Sequence, residues 1–208
     1  MQFGMAWNMA DKTAILLSGG MDSIALAYWL HPTLAITVDY GQVAAEAEVR
    51  ASRKVCEELG IQHDVISINC RALGSGVMAG ASAFEYAPSP EWWPFRNQLL
   101  ITFAASRLIG LGMNHLLVGS VKTDGDYVDG RYEFYRAIDI LVSGQEGGIH
   151  VEAPALDMTS DELIRKSGIG LDLLSWAHSC TLGNYACGRC QSCQKHRAIM
   201  RRLGYPEY

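Results

Sequence analysis

Residues 14–30 read AILLSGGMDSIALAYWL, which joins an apolar run, a turn carrying two glycines and a second apolar segment of different period. Ala14, Ile15, Leu16 and Leu17 have the length and character of a buried strand. From Ser23 onward, Ile24, Ala27, Tyr28 and Leu30 recur at the spacing that puts them on one face of a helix. Ser18, Gly19, Gly20, Met21, Asp22 and Ser23 then form the turn between the two. The glycines let the backbone curl so that several N–H groups point into one concavity, and the helix start adds partial positive charge, so an anion is favoured there. Ser18 and Ser23 supply hydroxyl donors, and Asp22 is placed to hold Mg2+ or to cap the helix. The turn contains no lysine and matches neither the Walker loop nor GxGxxG. A pyrophosphate gripped here would be held by backbone and hydroxyls alone; the plainer alternative is a glycine turn with a simple N-cap.

The same alternation continues along the chain. The runs LAITVDYG, HDVISIN and NHLLVGS are strand-like, and residues 44–59, 97–110 and 133–143 have helical spacing. Repeated strand–helix units imply an α/β fold on a parallel, Rossmann-like sheet, with ligand chemistry at the carboxyl ends of the strands. Val38 to Gln42, VDYGQ, ends the second strand and, taken by itself, reads as an ordinary strand end. Residues 71–94, rich in Gly, Ala, Ser and Pro, read as a long active-site loop or lid, or as an ordinary surface loop. Residues 197–208 read as a short closing helix.

With 208 residues, 49% hydrophobic and 19% charged, the chain is long enough to bury one core, and residues 1–208 are expected to form a single domain. A formal net charge of -5 gives no global field to attract a polyanion, so long nucleic acid is not an expected partner. No apolar run reaches the roughly 18 residues needed to span a bilayer, and MQFGMAWNMADK at the start lacks a basic segment followed by an apolar core and a cleavage site. A soluble, cytoplasmic protein that avoids membranes is expected.

The six cysteines are unevenly placed. Cys56 and Cys70 stand alone and read as buried core thiols. Cys180, Cys187, Cys190 and Cys193 have the spacing C-x6-C-x2-C-x2-C. Two residues between thiolates let a tight turn present both sulfurs to one ion, and four thiolates close the shell of a tetrahedral, structural Zn2+. An iron–sulfur cluster is the rival, but the following QKHRAIM lacks the Cys-Pro continuation of bacterial ferredoxins. Residues 175–200 are therefore read as a zinc-binding segment, with His178 and His196 as flanking groups that are ligands only by substitution.

SGGMDS matches the SGGxDS signature of the PP-loop ATP pyrophosphatase superfamily, whose members cleave ATP between the α and β phosphates while adenylating a carboxyl or carbonyl oxygen. With the four-cysteine segment added, residues 12–200 resemble the 7-cyano-7-deazaguanine synthase family, which turns 7-carboxy-7-deazaguanine and ammonia into the nitrile at the expense of ATP. WPFRN at 93–97 is similar to the family's VPGRN, and TDGDYVDGRYEF at 123–134 to its TDxSGYPDCRxEF. The resemblance implies a pocket of Phe95, Arg96, Asn97, Asp124, Tyr127, Asp129 and Arg131. It also implies a ribose or adenine contact at Asp39, catalytic roles for Ser18, Asp22 and Ser23, ATP, Mg2+ and Zn2+ as cofactors, and a homodimer. Chemically, Asp124 or Asp129 would accept from a guanine-like edge, Phe95, Tyr127 or a tryptophan would stack on the base, and Lys122 would steady phosphate or developing negative charge. The plainer alternatives are tryptophans in the core, carboxylates paired with Arg131 or facing solvent, and a solvated lysine.

Three departures fall near the implied substrate site. Ala44 replaces the histidine of the family's GQxH, Phe95 replaces the glycine of VPGRN, and the SGYPDC segment is one residue shorter, with Gly130 in place of cysteine. An enzyme that adenylates carboxydeazaguanine but transfers it to a protein amine, as synthase-like proteins of bacterial antiviral defence operons do, is a second expectation. A non-catalytic zinc-binding module is a third.

Overall fold

The computed structural model describes residues 12–205; the start, residues 1–11, read above as lacking an export signal, and residues 206–208 of the expected closing segment lie outside the described residues. The quoted stretch forms β1 (Thr13–Leu16) and α1 (Met21–Leu30). There follow β2 (Leu34–Asp39), α2 (Ala45–Leu59) and β3 (Gln62–Ser67). A one-turn helix α3 (Gly76–Ala79), α4 (Arg96–Gly110) and β4 (His115–Val118) come next. The chain ends with α5 (Tyr132–Ser143), β5 (His150–Glu152), α6 (Ser160–Ser167), the short α7 (Leu171–Leu174) and α8 (Gln191–Leu203).

All strand pairings are parallel, and the order is β3-β2-β1-β4-β5. The chain winds outward from β1 to β3 and then returns to the other side at β4. The carboxyl ends of β1 and β4 therefore flank the switch point at which open parallel sheets bind their ligands. Side chains alternate across the strands, so the sheet feeds two cores. Ile15, Leu17, Ala35 and Leu117 pack on one face with Leu26 of α1, Val55 of α2, Leu163 of α6 and Ile199 of α8. Ala14, Leu34, Ile36 and Leu116 pack on the other with Ile101 and Leu108 of α4 and Tyr135 and Ile138 of α5. This is the expected α/β architecture, with helices on both faces.

The helices show why the sequence chooses them. α1 is buried along most of its length, because it sits between the sheet and α6 and carries little polar surface. α2 instead buries Ala47, Ala51, Val55 and Cys56 on one stripe and turns its charges outward, ending at Gly60 with φ +67°. The loop 71–94 is anchored: Met78, Ala79 and Trp93 are buried, and Trp93 meets Tyr40 edge-on at 4.9 Å. Cys56 and Cys70 are both buried, in the two different cores. Among the described residues no helix is long and apolar enough to cross a membrane.

Candidate active site

The glycine turn lies at the switch point. Gly19 has φ +72°, and a Cβ there would lie 2.7 Å from the Glu48 carbonyl oxygen, so both its conformation and its close approach to α2 require glycine. Gly20 is the N-cap of α1, and no side chain caps it. The Ser18 and Ser23 hydroxyls are 3.1 Å apart, and Ser23 Oγ donates to Gly20 O at 3.0 Å. The first-turn N–H groups of α1 thus face the site without a side-chain acceptor. Gly119, just after β4, lets that strand approach: a Cβ there would lie 2.9 Å from Ser23 Cα.

A cavity of about 370 Å³ opens at this point. Ser18, Gly20, Met21, Asp22 and Ser23 line one side, and Arg96, Asn97, Asp124, Tyr127 and Asp129 line the other. Gly19, Asp39, Phe95, Lys122 and Arg131 are not among the lining residues. Asp39 Oδ1 accepts from Gly41 N at 3.0 Å and faces a separate depression with Arg50 and Arg71. Phe95 is 73% exposed, because it holds a left-handed backbone (φ +55°) at the N-cap of α4 that aims it away. Lys122 is exposed, and Arg131 Nε turns outward to donate to Gly125 O at 2.9 Å.

On the wall opposite the glycine turn, Asn97 Nδ2 donates to Asp129 O at 3.1 Å, and Tyr127 OH donates to Ser89 Oγ at 2.8 Å, joining this wall to the loop 71–94. Burial works against the charge of Arg96, but Tyr40, Asp129, Glu48 and Asp124 hold its pKa above the usual value. Glu48 is pushed up by burial, against a hydrogen bond of 2.7 Å from Gln42 Nε2. Burial also raises Asp22, opposed by the charge of Lys195 and reinforced by Asp124. Asp22 Oδ1 is buried with no hydrogen-bond partner.

Sequence reasoning missed a third wall, supplied by the cysteine segment. His178, Ser179, Thr181, Ser192 and Lys195 line the same cavity. His178 N donates to Gly19 O at 2.8 Å, which ties the segment to the glycine turn itself. The side chain of Asn184 accepts from Ala47 N at 3.1 Å and donates to Glu46 at 2.9 Å, and Glu91 accepts from Thr181 and Ser192, each at 3.0 Å. The only sequence-level signal for Lys195 was negative: an anion turn without its own lysine.

The four cysteine sulfurs lie within 4.8 Å of one another. A tetrahedral zinc–thiolate shell has sulfur–sulfur edges of about 3.8 Å, so the set fits Zn2+ after a small contraction. Backbone N–H groups of Arg189 and Cys190 point at Cys187 Sγ at 3.5 and 3.3 Å and pull its thiol down to about 6, as suits a metal thiolate. His178 and His196 are engaged elsewhere: His178 Nε2 is 3.0 Å from the Cys180 and Gly183 carbonyl oxygens, and His196 Nδ1 is 2.8 Å from Ser179 Oγ.

The family described as queuosine biosynthesis protein QueC matches residues 12–205, the whole of the described structure. The chain belongs to the QueC family. Relatives of this QueC-family chain include three proteins named 7-cyano-7-deazaguanine synthase. That of Methanosarcina mazei is 28% identical over 93% of this chain and 95% of its own length. The proteins of Methanocaldococcus jannaschii and Acidobacterium capsulatum are 27% and 32% identical, over 93% and 88% of this chain and 96% and 89% of their own lengths. Among solved structures, an NMN synthetase from Francisella tularensis matches 95% of this chain and 79% of its own at a TM-score of 0.50 and 15% identity, a likeness of fold. Within the QueC family frame, the departures have different settings. Ala44 is buried at the start of α2, Phe95 is exposed, and Gly130 is packed so tightly that a Cβ would lie 2.1 Å from the Asp124 carbonyl oxygen.

Proposed function

We propose that this chain is an ATP-dependent C–N ligase acting on 7-carboxy-7-deazaguanine. The observation that carries this reading is that the uncapped start of α1 and the Arg96, Asn97, Asp124 and Asp129 group open onto one cavity. The Ser18 and Ser23 hydroxyls and the first-turn N–H groups cradle the pyrophosphate portion of ATP. Asp124 and Asp129 accept from the guanine-like edge, and Tyr127 supplies a ring for the base. Held so, a carboxylate oxygen of the deazapurine attacks the α-phosphorus and pyrophosphate leaves. Ammonia then attacks the acyl carbon, AMP leaves with the carboxyl oxygen, and the amide results. A second adenylation, on the amide oxygen, and loss of AMP and a proton give the nitrile.

Asp22, whose Oδ1 lacks a partner, and Asp124 are the hard oxygen donors that fit Mg2+, which would shield the phosphate charge. Cys180, Cys187, Cys190 and Cys193 would hold Zn2+ in a closed shell with no open position for substrate. The test is pyrophosphate exchange: labelled pyrophosphate should enter ATP only when 7-carboxy-7-deazaguanine is present. Exchange that ignores the deazapurine, or none at all, would defeat the reading.

Transfer to a protein amine is a second reading. Phe95, Val128 and Tyr132 are 73%, 72% and 68% exposed, and they neighbour Asn97 and Asp129, which are bonded to each other. Such an apolar rim suits a macromolecular acceptor better than ammonia.

A further inference from the structure

The glycine turn lacks a lysine, yet the cavity needs a cation. Four carboxylates line it (Asp22, Glu48, Asp124 and Asp129), and Arg96 and Lys195 are the lining lysine and arginine side chains. Arg96 is half-buried and committed to Tyr40, Asp129 and Glu48 on the base side. Lys195 is differently placed. It rises from the first turns of α8, and its Nζ is 3.7 Å from Asp22 Oδ2 and 3.7 Å from Asp124 Oδ1. Both distances are ion-pair contacts longer than good hydrogen bonds, and the side chain is 41% exposed on a flexible stem. The ammonium is thus stationed at the junction of the phosphate turn and the base pocket but not locked there.

We infer that Lys195 is the phosphate-binding cation of this site, contributed by the cysteine segment in place of the lysine that the glycine turn lacks. The inference rests on the nucleotide reading above and adds the residue that neutralises the polyphosphate. Between ligands, Asp22 and Asp124 hold the ammonium in position. When a nucleoside triphosphate enters with its divalent cation, the carboxylates turn to the metal and Lys195 turns to the phosphate oxygens. Its backbone stays fixed in α8, whose N-cap is Cys190, with the Cys190 sulfur accepting from Cys193 N at 3.3 Å. Lys122, exposed and outside the cavity lining, has no such post.

Equilibrium binding of a nonhydrolysable ATP analogue with Mg2+, and separately of adenosine, to the zinc-loaded full chain tests this. Lys195→Met should weaken the analogue about 10- to 100-fold and leave adenosine within about twofold, while Lys195→Arg stays within a few-fold of the parent. Lys122→Met should change neither, and zinc content should remain constant across the set. Parent-like analogue binding by Lys195→Met would overturn the inference. So would an equal loss of adenosine and analogue in both Lys195 variants, or loss of zinc, since those mark a structural role. Failure of the unaltered chain to bind the analogue would instead sink the nucleotide reading on which the inference stands.

Discussion

Asp22 Oδ2 and Lys195 Nζ stand 3.7 Å apart, although one residue opens the first helix and the other lies near the start of the last described one. Their meeting is the point at which the glycine turn, the 123–131 segment and the cysteine segment become one site.

On the proposed reading, replacing Asp22 by Asn removes the charged ligand offered to Mg2+ and should cut AMP formation by about three orders of magnitude. Stability should move the other way. Burial raises the Asp22 pKa, so its contribution is full below the ordinary carboxylate value and is lost as the pH rises through the folded value. Without Mg2+, the Asn variant should therefore melt higher than the parent at pH 7.5, and the difference should shrink on acidification. Thermal melts of both proteins across that range check the sign.

Gly130 is required by the close approach of Asp124, where a Cβ would lie 2.1 Å from the carbonyl oxygen. Gly130→Ala should cost about 1–3 kcal/mol and lower the melting temperature by roughly 3–10 °C. Gly110→Ala, where an added Cβ meets nothing within 4 Å, serves as the control and should be neutral or slightly stabilising.

How much of this was legible in the sequence depended on range. The turn at Ser18 to Ser23 was readable because its glycines, hydroxyls and following helix act within six residues, and the parallel sheet because β1, β2 and β4 are almost continuously apolar. β5 escaped notice: it is three residues long and buries only Val151. α8 starts at Gln191, ahead of the expected closing helix, because the cysteine turn supplies its N-cap. Lys122 and Lys195 show the harder limit. Both are polar residues beside a motif, and only tertiary folding decides that Lys195 enters the cavity and Lys122 stays outside. Phe95 fails for a local reason: it occupies a glycine position of the family motif in a left-handed conformation, which turns its ring outward while Arg96 and Asn97 go in.

His196 is 3% exposed, and burial, aided by the charge of His178, pushes its pKa down to about 4. A folded pKa below the unfolded value contributes stability that is present above about 6.5 and is lost as the pH falls through the folded value. By pH 5 the loss should be roughly 2 kcal/mol. Urea unfolding of the zinc-loaded chain and of His196→Gln at pH 7.5 and 5 should show the parent falling more steeply.

Glu91 fastens the loop 71–94 to the cysteine segment through Thr181 and Ser192. Glu91→Ala should expose that loop to limited proteolysis several-fold faster, with the sheet core remaining intact. Bound ATP analogue should slow cleavage in the parent more than in the variant.

The most direct test of carboxylate activation is a reaction of zinc-loaded protein with ATP, Mg2+, 7-carboxy-7-deazaguanine and ammonia, read by mass spectrometry. The expected result is AMP formed only in the presence of the deazapurine, together with its amide and nitrile. AMP without free amide or nitrile would direct the search to a protein acceptor, whereas no AMP under any of these conditions would contradict carboxylate activation outright.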